Sequence, residues 1–368
     1  MKPRVLVGAA LVVLLAVGTA RADDIDEYFE RALRRLHAPG AAVAVIKDGQ
    51  VIKAEAYGLA NLEHGVPAET NTVFEIGSVS KQFIAAGIML LVQDGLVDLD
   101  DPVGRHLDGT PDAWQAITLR HLLTHTSGLV REAPGFEPLT VQDDRDVIAT
   151  AYSLPLEFAP GERWEYSNLG YFVLADIIRS VSRMPWADFM TERIFEPLGM
   201  TATQVTTLDI VPHRASGYQW VDDRLLHVPD LPAVRPSGAF LSTVLDLARW
   251  ELALRSNEVL DASSKAEMWT SVTLNSGERY PYGLGWMLVD WPADYPQPTG
   301  VPMIQHTGTI GGFRAGFARW PSHDLTVIVL VNQRELEIAG MLANVAIGVV
   351  PELRTVPAES VRETEPNP

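Results

Sequence analysis

The 368-residue chain contains no cysteine. It can form no disulfide, offers neither a thiol nucleophile nor a thiolate metal ligand, and has no cysteine for a lipid anchor. Long apolar runs are scarce as well. The most apolar run, Val5 to Val17 after Met1-Lys2-Pro3-Arg4, is well short of the roughly 20 residues a spanning helix needs. No later segment is long and apolar enough, so no stable membrane anchor is expected. Basic residues are outnumbered, 29 Lys and Arg against 47 Asp and Glu, giving a formal net charge of −18. Such an acidic surface repels phosphate backbones, which argues against a nucleic-acid partner. Gly-x-Ser-x-Gly is also missing, which argues against an α/β-hydrolase elbow.

At 47% hydrophobic and 21% charged, the composition is that of a globular protein with one large domain or two interleaved ones. The basic start, the short apolar run and the small residues Ala20 and Ala22 describe a secretory signal peptide over residues 1–22. Cleavage after Ala22 delivers the remainder to the periplasm or the medium. Residues 351–368, rich in Pro and Glu, read as a disordered tail.

Between these ends the pattern changes twice. Asp24 to His37 has the apolar spacing of an amphipathic helix. Ala41–Ile46 and Val51–Tyr57 are β-prone runs around Asp48-Gly49, a strong hairpin signal. Gln82–Val92 is apolar nearly all round, as a buried helix is. From about Val97 to Pro236, helical patches alternate with Pro- and Gly-containing loops: Ala116–His125, Asp143–Ala151, Tyr171–Val181 and Trp186–Phe195. A further helix is expected over Thr243–Arg255. Strands return at Tyr282–Val289, Phe313–Trp320 and Leu325–Val331, and a helix around Glu335–Val345 follows. This order predicts an α+β fold: an antiparallel β-sheet flanked by helices, with a large, mostly helical insertion. The expected division is 23–96 with 240–350 for the sheet domain and 97–239 for the helical one.

Three short motifs carry the chemistry. In Ser78-Val79-Ser80-Lys81 the serine and lysine are one helical turn apart and share a face. A serine hydroxyl needs a neighbouring base. A lysine serves only when desolvation, a nearby cation or a helix N-terminus lowers its pKa. Alone, the pair would arise by chance in about one sequence in five. Tyr166-Ser167-Asn168 precedes an amphipathic segment, in a loop at a helix start. A phenol beside a cationic lysine is expected to have a lowered pKa and to shuttle protons, and the Asn168 amide can donate and accept. His306-Thr307-Gly308-Thr309 ends a strand before a Gly-Gly turn, and its glycine lets backbone amides approach a ligand. A participating His306 would make activity depend on pH between roughly 5.5 and 7.5. His121 and His125 stand four apart, but Leu122 occupies the place of a protease-type glutamate and no third ligand is evident; a structural role at a helix end and no metal are expected.

The three motifs together resemble the serine hydrolases that include class C β-lactamases, soluble DD-peptidases and related esterases. The likeness extends to His121–Leu129, Phe195–Met200, Ser237–Trp250 and Tyr282–Trp286, and spans roughly Ile25 to Val350. It implies that Ser78 is acylated, Lys81 activates it and Tyr166 shuttles protons. It implies too that Asn168 contacts the substrate amide and that the backbone amides of Ser78 and Thr309 form the oxyanion hole. His306 replaces the lysine typical of class C β-lactamases. With Thr307 and Thr309 it looks more like the DD-peptidases, whose threonines bind a terminal carboxylate. The implied partner is a small-molecule or peptide substrate, with no cofactor.

Overall fold

The computed structural model describes residues 16–233, 235–238, 240–289 and 301–353, and for 16–23 the backbone alone. Residues 1–15 of the expected signal peptide and 354–368 of the expected tail lie outside the described residues.

The first strands are β1 (Gly40–Lys47), β2 (Gln50–Asn61) and β3 (Val66–Pro67). Next, β4 (Phe74–Glu75), β5 (Gln204–Val205) and β8 (Phe240–Ser242) form a three-stranded sheet centred on β8. The pairs β6 (Gly217–Val221) with β7 (Arg224–Val228), and β9 (Val272–Thr273) with β10 (Arg279–Tyr280), stand apart. Last come β11 (Met287–Val289), β12 (Met303–Ile310), β13 (Phe313–Trp320) and β14 (Leu325–Val331). The main sheet is antiparallel, in the order β11-β12-β13-β14-β1-β2-β3. This is the α+β architecture the segment order implies.

The helices are α1 (Ala16–Arg35), α2 (Lys81–Gln93), α3 (Leu119–Leu123), α4 (Asp144–Ala149), α5 (Leu169–Ser182), α6 (Trp186–Met190), α7 (Val244–Arg255), α8 (Ala262–Met268) and α9 (Ile338–Val349). Strand β1 shows how they layer. Ala41, Val43 and Val45 pack with Ile25 and Phe29 of α1 and with α9, while Ala42, Ala44 and Ile46 join the core of α2 and α7. A strand covered on both faces needs apolar residues at every position, and β14, all buried, meets the same demand.

Several boundaries differ from the sequence expectation, each for a local reason. The strand expected over Tyr282–Val289 shrinks to β11, because Gly285 turns at φ +76° and Tyr282 pairs back onto Met287. The helix expected over Ala116–His125 is the short α3: the Thr118 side chain caps its start and His125 leaves helical geometry at φ +60°. His121 and His125 therefore share no helical face. The last helix starts later, at Ile338, where the Glu337 carboxylate accepts from the backbone N–H groups of Ala339 and Gly340. The helical patches also share 97–239 with β5 and the β6–β7 hairpin. That hairpin turns on Asp222-Asp223, both at positive φ, without the Asn-Gly or Asp-Gly signature that would have announced it.

Asn332, just past β14 and fully buried, ties three segments together. Its Oδ1 accepts from Gly40 N at 2.8 Å, and its Nδ2 faces the carbonyls of Leu59 at 3.1 Å, Ala60 at 3.3 Å and Ser216 at 3.2 Å. Asn332→Ala leaves a buried amide and carbonyls without partners, so it should destabilise by about 3 kcal/mol. A denaturant midpoint unchanged from wild type would refute this.

Candidate active site

From Thr72 to Leu91 every residue is buried except Ser78. Gly77–Ser80 forms a 3-10 turn that runs straight into α2, with Gly77 at φ +52°. Lys81, the first residue of α2, is fully buried. Its Nζ lies 2.7 Å from Ser237 O, 2.9 Å from Asn168 Oδ1 and 3.3 Å from Ser78 Oγ. Burial, and after it the nearby Arg235 cation, hold its pKa well below the ordinary lysine value. In its deprotonated form, which this shift favours, the amine has two N–H donors and one lone pair. The two carbonyl oxygens can only accept, so they take both donors. The lone pair is left for the Ser78 hydroxyl.

Strand β12 passes close to this turn. A Cβ on Gly308 would lie 2.0 Å from Ile76 O and 2.9 Å from Ser78 N; one on Gly77 would lie 2.8 Å from Thr309 N. Only two glycines allow this backbone approach. His306 thus sits in the middle of β12 rather than at its end. Strand β11 pairs only with Met303–Gln305, so the β12 edge beyond Gln305 has no β11 partner.

Tyr166, Ser167 and Asn168 form the loop that starts α5, as expected. Tyr166 differs electrostatically from the expectation: burial pushes its phenol above the ordinary value, outweighing the hydrogen bond with Ser78 and the Arg131 charge. The Lys81 Nζ sits 4.7 Å from its ring centroid. Both ends of the Asn168 amide are engaged, Oδ1 by Lys81 and Nδ2 by Glu132 Oε1 at 2.5 Å.

His306 is buried, and both ring nitrogens have partners: Nε2 with Tyr282 Oη at 3.0 Å and Nδ1 with Thr307 O at 2.7 Å. Tyr282 Oη also meets His125 Nε2 at 3.1 Å, and His125 Nδ1 accepts from Ser167 N at 3.2 Å. The proton positions follow from the two ends. Ser167 N–H must donate, so His125 carries its proton on Nε2 and gives it to Tyr282. Thr307 O must accept, so His306 carries its proton on Nδ1 and receives the Tyr282 hydroxyl on Nε2. Both rings are neutral. Burial keeps His125 well below the usual histidine value and pulls His306 down to about 3, far from the near-neutral titration expected of it.

Ser78, Tyr166, Asn168, His306, Thr307 and Thr309 line one cleft of about 580 Å³. Gly308 packs instead against the Ile76–Ser78 backbone, and Arg314 Nη1 donates to Thr309 Oγ1 at 2.7 Å. Sequence reasoning gave no role to Arg131, Glu132, Trp164, Arg235 or Ser237, which line the same cleft, or to Tyr282. His125, Ser237 and Tyr282 lie in segments whose family likeness was visible, though Ser237 acts through its main-chain carbonyl; Arg235 acts through a charge that no local pattern marks. Among the described residues no group of three or more His, Asp or Glu is placed to hold a metal, and no helix is long and apolar enough to cross a membrane.

The α+β fold, with a part-exposed serine beside a buried lysine, defines a serine hydrolase. The Beta-lactamase family model matches residues 25–347, and the chain belongs to that family. It is 32% identical over 320 residues to penicillin-binding protein 4* of Bacillus subtilis, covering 81% of this chain and 69% of that protein; it spans 62% of several other curated relatives. Among solved structures it is similar to the octameric penicillin-binding protein homologue of Pyrococcus abyssi, with a TM-score of 0.78, 27% identity, and 90% and 78% of the two chains covered. It is also similar to the D-amino acid amidase of Ochrobactrum anthropi SV3, with a TM-score of 0.73, 25% identity, and 90% and 96% covered.

The neutral His306 has a consequence for stability. Its folded pKa is about 3, below the unfolded value of about 6.5, so between those limits the unfolded chain binds more protons. The contribution is complete above about pH 6.5 and is lost as pH falls toward 3. The denaturant midpoint of His306→Gln should therefore fall less than that of wild type between pH 7 and 4. Parallel curves would mean that His306 titrates alike in both states.

Proposed function

We propose that the chain is an exported acyl-transfer enzyme whose nucleophile is Ser78 and whose base is Lys81, acting on small amides or peptides of D-amino acids, in the manner of a DD-peptidase or carboxypeptidase. The observation that carries this reading is the fully buried amine of Lys81, its pKa held well below the ordinary value by burial, set against two carbonyl oxygens and 3.3 Å from Ser78 Oγ. The D-amino-acid preference draws on the names of the similar proteins, an amidase and penicillin-binding proteins, and on the two threonines of β12. Export draws on residues 1–22.

Ser78 Oγ attacks the substrate carbonyl carbon while its proton passes to Lys81 Nζ. The oxyanion lies between the backbone N–H groups of Ser78 and Thr309, held close by the Gly77–Gly308 approach. The carbon–nitrogen bond breaks as the proton moves to the leaving amine by way of Tyr166, whose high pKa suits a donor that stays protonated until needed. Water, deprotonated by the same groups, then cleaves the ester and frees Ser78. Asn168 meets the substrate amide; Thr307 and Thr309 meet its carboxylate. His306, with both nitrogens engaged, holds β12 and Tyr282 in place without transferring protons.

Ser78→Ala should abolish labelling by a fluorophosphonate, Lys81→Met should slow it at least about a hundredfold, and Tyr166→Phe should lower turnover about as much. Labelling of Ser78→Ala at the wild-type rate would refute the nucleophile. An acyl-D-Ala-D-Ala peptide, a short-chain ester and a chromogenic cephalosporin, tested side by side, separate the peptidase from an esterase or a β-lactamase. No reaction with any of them, and no labelling, would favour a catalytically silent binding protein.

A further inference from the structure

One ion pair in the cleft has no part in the steps above. Arg235 Nη2 lies 3.0 Å from Glu132 Oε2, across 103 residues of sequence. The other oxygen of Glu132 accepts from Asn168 Nδ2 at 2.5 Å, and Asn168 Oδ1 accepts from Lys81 at 2.9 Å. Lys81 also donates to the carbonyl of Ser237, two residues beyond Arg235. The four side chains and the Arg235–Ser237 segment form a closed circuit. The Arg235 guanidinium is steadied from below by the Phe136 ring, 4.2 Å away.

The circuit settles which way the Asn168 amide faces. A carboxylate only accepts, so Glu132 requires the NH2 end; Lys81 donates, so it requires the oxygen end. Both demands select one orientation. If the amide turned over, its NH2 group would donate into the Lys81 lone pair and compete with the Ser78 hydroxyl for the base. We propose that Glu132 and Arg235 are positioning residues: Glu132 locks Asn168 so that the Lys81 lone pair stays directed at Ser78, and Arg235 holds Glu132 and balances its charge. This rests on Lys81 acting as the base.

The charges facing Lys81 are few. Arg131 and Arg235 lower its pKa and Glu132 raises it. The rings of Tyr166 and Tyr171 lie over it at 4.7 and 5.1 Å, and His125 and His306 nearby are neutral. Removing either member of the pair must therefore move the protonation of Lys81, in opposite directions.

The test is the rate of Ser78 acylation by a fluorophosphonate as a function of pH, on the full chain, with a thermal melt for each variant. In Arg235→Gln the acid limb should move up by about one pH unit, in Glu132→Gln down by a similar amount, and in Arg235→Lys stay near wild type. Glu132→Ala, which frees the amide, should lower the plateau at least about tenfold. Limbs that stay still or move together in the two charge-neutral variants, or a Glu132→Ala plateau equal to wild type, would overturn the proposal. Should Arg235→Gln fail to fold, the two Glu132 variants decide alone. Lys81→Met run alongside separates the outcomes: wild-type acylation there would remove Lys81 as the base, a different failure.

Discussion

An amine buried without a counter-ion is the constraint around which this molecule is arranged. Lys81 cannot reach water, and its hydrogen-bond partners are all uncharged. One comes from the adjoining turn before α2 and two from remote places, the start of α5 and the loop before β8. Each partner must be in position for the amine to be tolerated, since an unsatisfied buried polar group costs about 1–3 kcal/mol. Assembly of the helical and sheet elements around Lys81 is thereby coupled to the assembly of the cleft.

The same economy of charge runs from the interior out to the cleft wall. Ser167, His125, Tyr282, His306 and Thr307 form a line of hydrogen bonds with every proton assigned and no net charge. Such a line is rigid and cheap to bury. In that line His306 contributes geometry to β12 and no charge. The formal positive charges of the cleft come instead from Arg131 and Arg235, opposed by Glu132.

Much of the fold was legible because it rests on local periodicity. The all-apolar run of α2, the Asp48-Gly49 hairpin and the strands Phe313–Trp320 and Leu325–Val331 lie where the pattern put them. The candidate site was legible as residue types, since Ser78, Lys81, Tyr166, Asn168 and the β12 residues converge on one cleft. What could not be read was everything set by distance in space. Burial reversed the expected phenol shift at Tyr166 and silenced the expected titration of His306. Asp222-Asp223 made a turn without a turn signature. Glu132 and Arg235 find each other only through tertiary structure.

The facing glycines of the 3-10 turn and β12 set a different kind of limit. Across that seam the neighbours are main-chain atoms: Ile76 O and Ser78 N opposite Gly308, Thr309 N opposite Gly77. A side chain gained on one side cannot be accommodated by trimming a side chain on the other, because there is none to trim. The two positions are thus locked without any possible second-site suppressor at the contact. Where two side chains meet, one can yield to the other; along this seam the spacing of two backbones leaves no such room.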